Sequence, residues 1–344
     1  MKIAVLGSGG WGTALAMLLA ENGHTVTLWS YLEEESRRLQ QTRENPLLPG
    51  VTLPESLSYT WVPIPEEMKF TCDLAAVKGC GLVVMATPSF GVRSTAEGIR
   101  GMLTPETILV SVSKGIEKGS SLRMTEIIRQ ATGDLCPVVA LSGASHAEEV
   151  ARRVPTAVVS ACPDQAAAET VQDLFLNDRF RVYSSSDVVG VELGAALKNV
   201  MALCTGCCTG MGYGDNTKAM LMTRGLAETA RLGVALGGRR ETFAGLAGMG
   251  DLIVTCTSMN SRNYRAGILI GQGMPVQQAI QEIGAVVEGY YAVDSARELA
   301  KRAGVEMPIT QAAYQVLYEG RDPKTVLQEL MRREKRHEME ETWI

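Results

Sequence analysis

Lys2-Ile3-Ala4-Val5-Leu6-Gly7-Ser8-Gly9-Gly10-Trp11-Gly12 opens the chain with a short apolar strand that runs straight into a GxGxxG turn. The turn leads into Trp11–Glu21, whose Ala, Leu and Met content is that of a buried helix. A second strand, Thr25–Trp29, follows the break at Gly23. The glycine pattern alone is common. Between a strand and a helix it is the phosphate-binding turn of a dinucleotide site. Gly7 permits the tight turn, Gly9 lets the backbone approach a pyrophosphate, and Gly12 lets helix pack on strand. The helix N-terminus, at Gly10 and Trp11, faces the negative charge.

Working outward, strand-like runs recur at Leu82–Ala86, Thr107–Val112, Val138–Leu141, Thr156–Ser160 and Phe180–Tyr183. Helical stretches such as Ser121–Ala131 and Gln165–Phe175 separate them. This alternation predicts a mainly parallel, doubly wound α/β sheet of Rossmann type. The segment from Glu44 to Glu66 carries five prolines and reads as an irregular excursion. After Ser186 the texture becomes helical, as in Asn216–Leu232, Val276–Ile283, Tyr290–Ala303 and Thr310–Tyr318. Two domains are expected: an α/β domain at 1–186 and an all-α domain at 187–344. The dense mixed charge of Met331–Glu341 reads as a solvated helix with i,i+4 ion pairs.

Composition narrows the function. A net charge of −5 carries no basic surplus for nucleic acid. No run of 18 or more apolar residues offers a membrane span, and the N-terminus is not a signal peptide. A cytoplasmic protein is expected, so the eight cysteines read as reduced thiols. Three histidines without a paired CxxC give no metal site, and Cys204-x-x-Cys207-Cys208 alone cannot complete a tetrahedral one. Those cysteines read as small buried hydrophobes.

In open α/β sheets ligands sit beyond the carboxyl ends of the strands. There stand Thr87-Pro88-Ser89-Phe90, Ser113-Lys114-Gly115 and Ser142-Gly143-Ala144-Ser145-His146. Lys114 is the candidate for a role there. At the end of the second strand, where a residue that discriminates NAD from NADP belongs, stand Ser30 and Tyr31, which offer neither carboxylate nor arginine. Glu33, Glu34 and Glu35 read as the first turn of the next helix.

In the helical half, Val191–Cys208 is apolar or small on nearly every face, and Lys198 and Asn199 interrupt it. A lysine in such a run is costly to desolvate, and its pKa should fall unless an acid pairs with it. Gly245–Asp251 threads three glycines ahead of a carboxylate and reads as a tight turn or a cap that presents Asp251. Ser261-Arg262-Asn263 groups a hydroxyl, a fork donor and an amide, apt for a phosphate.

These residues resemble one family, the bacterial NAD(P)-dependent glycerol-3-phosphate dehydrogenases. GSGGWGTALA (7–16), SKGIE (113–117), SGASHAEEV (142–150), LGAALKNVMAL (193–203), GYGDNTKA (212–219), GLAGMGDLIVTCTS (245–258), NSRNYRAG (260–267) and VVEG (286–289) occur in that family's order and spacing. The resemblance implies reversible hydride transfer between NAD(P)H and dihydroxyacetone phosphate, giving sn-glycerol 3-phosphate for phospholipid synthesis, and a homodimer. It implies Lys198 as general acid/base, with Asp251 and Asn199 around it and Lys114 contacting substrate and cofactor. Gly143, Ser145, Ser261, Arg262 and Asn263 would line the substrate. Trp11, Ala147, Arg262, Val286 and Glu288 would contact NAD or NADP.

The chain departs from the family at Gly10, often Ser; at Ala144, often Pro; and at Ser30-Tyr31, where Arg or His often stands. The coenzyme preference is left open by the last. The stretch CTGCC beside Lys198 replaces mostly Ala and Gly, and suggests sensitivity to thiol reagents. Two alternatives stand beside this reading. One is another two-domain dehydrogenase, acting on a hydroxy acid or a hydroxyacyl thioester; thioester dehydrogenases of this layout resemble one another in using a His–Glu dyad, yet the helical half has His only at 337. A non-catalytic dinucleotide sensor would have lost Lys198, Asp251 or Arg262, and all three are present.

Overall fold

Ile3 and Val5 belong to one apolar core and Ala4 and Leu6 to another, and all four are fully buried. A strand covered on both faces needs apolar residues at every position, which is why β1 (Lys2–Leu6) carries no polar alternation after Lys2. The computed structural model describes residues 1–48, 69–71, 73–335 and 337–338. Most of the proline-rich segment, Cys72 and the end of the tail lie outside these. The chain divides after Val188, with the loop Lys118–Ser121 grouped with the second unit.

In the first unit β1 is followed by α1 (Gly10–Glu21), β2 (Thr25–Trp29), α2 (Glu33–Thr42), β3 (Lys69–Thr71), β4 (Leu82–Met85), α3 (Val92–Ile99) and β5 (Ile108–Ser111). Next come α4 (Met124–Thr132), β6 (Val138–Ala144), α5 (Ala147–Ala151), β7 (Thr156–Ala161), α6 (Gln165–Phe175) and β8 (Phe180–Ser185). The eight strands lie in the order β3-β2-β1-β4-β5-β6-β7-β8. All pairs are parallel except β6 with β7. Strand order reverses between β1 and β4, so the crevice of a doubly wound sheet opens there. Helices α1 and α6 cover one face, and α3 and α4 the other.

Three local expectations need correction. Ser142, Gly143 and Ala144 extend β6 rather than follow it, pairing with Val159, Val158 and Ala157. Their small size is what the pairing requires, because a Cβ on Gly143 would sit 2.7 Å from Val158 Cα. The helix expected from Ser121 begins at Met124, since Ser121 takes a positive φ of 60° and Arg123 bridges to Ile116. The charged tail is not helical over 332–335; there Arg333 pairs with Glu306, 3.4 Å away and far along the chain.

The second unit is helical: α7 (Val188–Gly210), α8 (Asp215–Ala235), α9 (Arg240–Phe243), α10 (Asp251–Thr257), α11 (Arg262–Gly271), α12 (Val276–Ile283), α13 (Glu288–Ala303), α14 (Pro308–Leu317) and α15 (Pro323–Met331). Helix α7 is long and apolar enough to cross a membrane, but 83% of its most apolar window is buried inside the protein. It is the axis of this unit's core. Glu228 on α8, buried, accepts the Ile309 and Thr310 backbone N–H groups at 2.8 and 2.9 Å and so closes the start of α14. Burial pushes this carboxyl up, and the two N–H donors pull it back.

Helices α7 and α11 approach each other at backbone contact. A Cβ on Gly206 would lie 2.1 Å from Tyr264 O, and one on Gly210 would lie 2.1 Å from Ile268 O. Reciprocally, a Cβ on Gly267 would lie 2.2 Å from Leu203 O and one on Gly271 2.0 Å from Cys207 O. Both helices thus present glycines four residues apart on one face, and no side chain fits between them. Gly267→Ala should cost about 2–3 kcal/mol and lower the thermal midpoint by several degrees. Gly101→Ala, where nothing lies within 4 Å of the new Cβ, should stay within about 0.5 kcal/mol. Equal midpoints for the two variants would show that the crossing tolerates separation.

The same crossing explains the cysteines. Burial pushes the Cys207 thiol up to about 12 and the Cys208 thiol up to about 11, and raises Cys204 well above its ordinary value. A raised thiol pKa keeps the neutral form, so on the order of one in a thousand or fewer of Cys207 and Cys208 are thiolate at pH 8. Burial of these thiols thus argues against the suggested sensitivity to thiol reagents. Iodoacetamide at pH 8 should alkylate these residues at least about a hundredfold more slowly in the folded protein than in urea. Comparable rates, read by peptide mass, would contradict their placement.

Candidate active site

The turn after β1 is built by exclusion. Gly7 takes φ +122°, a conformation that strains any side chain, and a Cβ there would meet Ala86 O at 2.5 Å. A Cβ on Gly12 would meet Gly7 O at 1.9 Å. Gly9 is different, with nothing among the described residues within 4 Å of its would-be Cβ, so its backbone is open to a ligand's approach. Helix α1 starts there without a side-chain cap and without an acid in its first turn, leaving its N–H groups to an anion. A Cβ on Gly10 would lie 3.1 Å from Leu47 O and 3.6 Å from Ala147 Cβ. The Trp11 indole N–H is buried and meets no hydrogen-bond partner among the described residues. These features fit a pyrophosphate-bearing dinucleotide.

Asn45 braces the turn, and the sequence reading missed it. Its buried amide donates to Ser8 O at 2.9 Å and to Thr13 Oγ1 at 2.7 Å. Thr13 in turn donates to Ser8 O at 3.2 Å. Tyr31 is 83% exposed and meets Trp29 edge-on, ring centroids 6.2 Å apart. At the other strand ends Lys114 and Ser145 converge, both donating to the Gly143 carbonyl, at 3.1 and 3.2 Å. Ser113 holds this edge to Thr87 O at 2.5 Å.

In the second unit Lys198 is 7% exposed and Asp251 1%. The Lys198 ammonium donates to Asp251 Oδ1 and, at 2.6 Å, to Thr255 Oγ1. Thr255 passes its own proton to Asp251 O at 2.6 Å. The acid on which the sequence reading made the lysine's state depend is thus Asp251. Thr255 was missed, although four residues beyond Asp251 on a helix is the position that returns to it. The glycine run before Asp251 is not a tight turn but a π-helical turn, Leu246–Gly250, continuous with α10. A Cβ on Gly248 would lie 2.1 Å from Phe243 O, so the widened turn packs on backbone. Such turns recur at functional sites.

A second set of bonds ties α7 to α11 and α13. Asn263 donates to Asn199 Oδ1 at 3.0 Å and accepts the Gly289 N–H at 2.8 Å. A Cβ on Gly289 would lie 2.4 Å from Asn199 O, so the start of α13 rests on α7 beside Lys198. Ser261 caps α11 by accepting the Tyr264 N–H at 3.2 Å. Arg262 is exposed at the first position of that helix. Glu288 opens α13 and Val286, half-buried, precedes it. Lys198, Asn199, Asp251, Asn263 and Glu288 therefore come together, with Arg262 at the rim. Among the described residues no three His, Cys, Asp or Glu are grouped to hold a metal ion.

A buried ion pair is weak evidence for stability, since well-packed apolar residues do as well or better. Its presence on a largely apolar, buried helix argues for chemistry that needs an ammonium shielded from water.

Comparison with known proteins agrees. The family described as NAD-dependent glycerol-3-phosphate dehydrogenase matches with its N-terminal part at residues 2–168 and its C-terminal part at 187–328. The glycerol-3-phosphate dehydrogenase [NAD(P)+] of Moorella thermoacetica is 51% identical over 341 residues, 98% of each chain. That of Desulfitobacterium hafniense is 48% identical, over 99% of this chain and 94% of its own. The crystal structure of glycerol-3-phosphate dehydrogenase from Coxiella burnetii has 38% identity and a TM-score of 0.88, covering 96% of this chain and 98% of its own. From the glycine turn to the buried lysine, then, the chain belongs to the NAD-dependent glycerol-3-phosphate dehydrogenase family.

Proposed function

We propose that this chain is an NAD(P)-dependent oxidoreductase that interconverts dihydroxyacetone phosphate and sn-glycerol 3-phosphate, for glycerophospholipid synthesis. The observation that carries the reading is the buried Lys198 ammonium, fixed by Asp251 and Thr255 within an amide-lined cluster. Residues 1–186 hold the dinucleotide, through Gly7, Gly9, Gly10, Trp11 and Gly12, with Ala147 beside them. Residues 187–344 supply the acid and the phosphate grip. On family grounds the enzyme is cytoplasmic and homodimeric.

The dinucleotide, when bound, supplies or accepts the hydride. Everything else falls to the chain. Reducing a ketone puts negative charge on its oxygen, and a positioned proton donor lowers that barrier by a factor of roughly 10²–10⁴. Lys198 Nζ gives this proton, and in the reverse direction the neutral amine takes the hydroxyl proton. Asp251 favours the charged lysine, and Thr255 fixes the direction in which Nζ points. Asn199 is held by Asn263, so its amide keeps one orientation near the reacting centre. Lys114, Gly143 and Ser145 line the substrate from the sheet, and Lys114 adds positive charge. Arg262, with Ser261 at the α11 N-terminus, grips the phosphate, and Val286 and Glu288 close the cofactor side. Binding energy from that remote group orients the carbonyl.

Lys198→Ala should lower turnover by about a thousandfold while dinucleotide affinity changes less than about threefold. The single change strands a buried carboxylate at a cost of about 3–5 kcal/mol, so the double variant Lys198→Ala with Asp251→Asn is measured beside it. Both should bind dinucleotide and lack activity. Near-wild-type turnover in either would remove Lys198 from the proton transfer.

A further inference from the structure

The sequence places no carboxylate at the end of the second strand, yet the fold puts one there. Gly7 N–H donates to Trp29 O at 2.9 Å, so Ser30 lies beside the phosphate-binding turn. In dinucleotide folds this is where the 2′ position of the adenosine ribose is read. Ser30, 1% exposed, donates its hydroxyl to Glu35 Oε2 at 2.5 Å, across from the first turn of α2. The half-buried Glu35 makes no other hydrogen bond among the described residues, so Oε1 is left to accept.

Two opposing effects act on a 2′-phosphate at this point. The α2 N-terminus, worth roughly +0.5 of a charge, would attract it. Glu33, Glu34 and Glu35 put three carboxylates in the same turn and outweigh that partial charge. The arginines on α2 do not redress the balance. Arg37 is held by Glu33 at 2.7 Å, and exposed Arg38 lies almost a turn further from the strand end.

We propose that Glu35, aimed by Ser30, is the coenzyme-specificity residue, and that the site takes NADH in preference to NADPH. Oε1 accepts the ribose 2′-hydroxyl proton of NADH and repels the 2′-phosphate of NADPH. This rests on the dinucleotide reading of the glycine turn. Ser30 is a positioning residue: it holds the carboxylate in place without meeting the hydroxyl itself.

The test is binding without substrate. The full chain is titrated with NADH and with NADPH by calorimetry, beside Glu35→Gln and Ser30→Ala. NADH should bind at least about tenfold more tightly than NADPH to the wild type. Glu35→Gln should weaken NADH, strengthen NADPH and bring the ratio to about threefold or less, with Ser30→Ala between. Equal or tighter binding of NADPH by the wild type overturns the proposal, as does an unchanged ratio in Glu35→Gln. If folded protein binds neither, the dinucleotide reading itself fails and this one with it.

Discussion

An ammonium and a carboxylate buried together on adjoining helices set the terms for the second unit. Lys198 and Asp251 cannot be separated without stranding a charge in an apolar core, at about 3–5 kcal/mol. The elements that carry them are correspondingly fixed. The π turn at Leu246–Gly250 brings Asp251 to its place, and Thr255 one turn on closes the bond pattern. Helix α7 is mostly apolar around Lys198, which shields the pair from water. The pair is not a stabiliser in its own right: apolar replacements would serve folding as well, but not proton transfer.

Glycine does the complementary work of letting backbones touch. At the crossing of α7 and α11, four glycines bring Asn263 within reach of Asn199, and Gly289 lets α13 rest on the same helix. At the end of β1, Gly7 and Gly12 let the start of α1 approach the turn closely, while Gly9 is open among the described residues. Glycines such as Gly206, Gly248 and Gly267 are required by backbone contact, whereas open ones such as Gly23 and Gly101 serve turns and element ends. Gly9 points to binding because its openness coincides with the uncapped start of α1.

Much of this was legible in the chain. The strand-then-glycine run gave the doubly wound sheet because a strand buried on both faces has a distinct composition. Lys198 stood out because a lysine flanked by small and apolar residues has no cheap structural explanation. What stayed hidden depended on three-dimensional return. Thr255 needed the knowledge that Asp251 opens a helix. Asn45 sits in a proline-rich stretch and reaches back 32 residues to Thr13. Glu35 was read as helix-dipole decoration, which its position in the first turn of α2 equally supports, and its bond to Ser30 appears only once α2 is placed. Ser142–Ala144 looked like a loop because small polar residues favour turns, whereas here they serve close pairing of β6 with β7.

The central claim is that the shielded ammonium of Lys198 serves ketone reduction on a three-carbon phosphate. The most direct measurement mixes the full chain with dihydroxyacetone phosphate and reduced nicotinamide dinucleotide, and follows the reduced-nicotinamide absorbance. The account predicts loss of that band with formation of an equal amount of glycerol 3-phosphate. A band that holds steady, from folded protein shown to bind the dinucleotide, would contradict it.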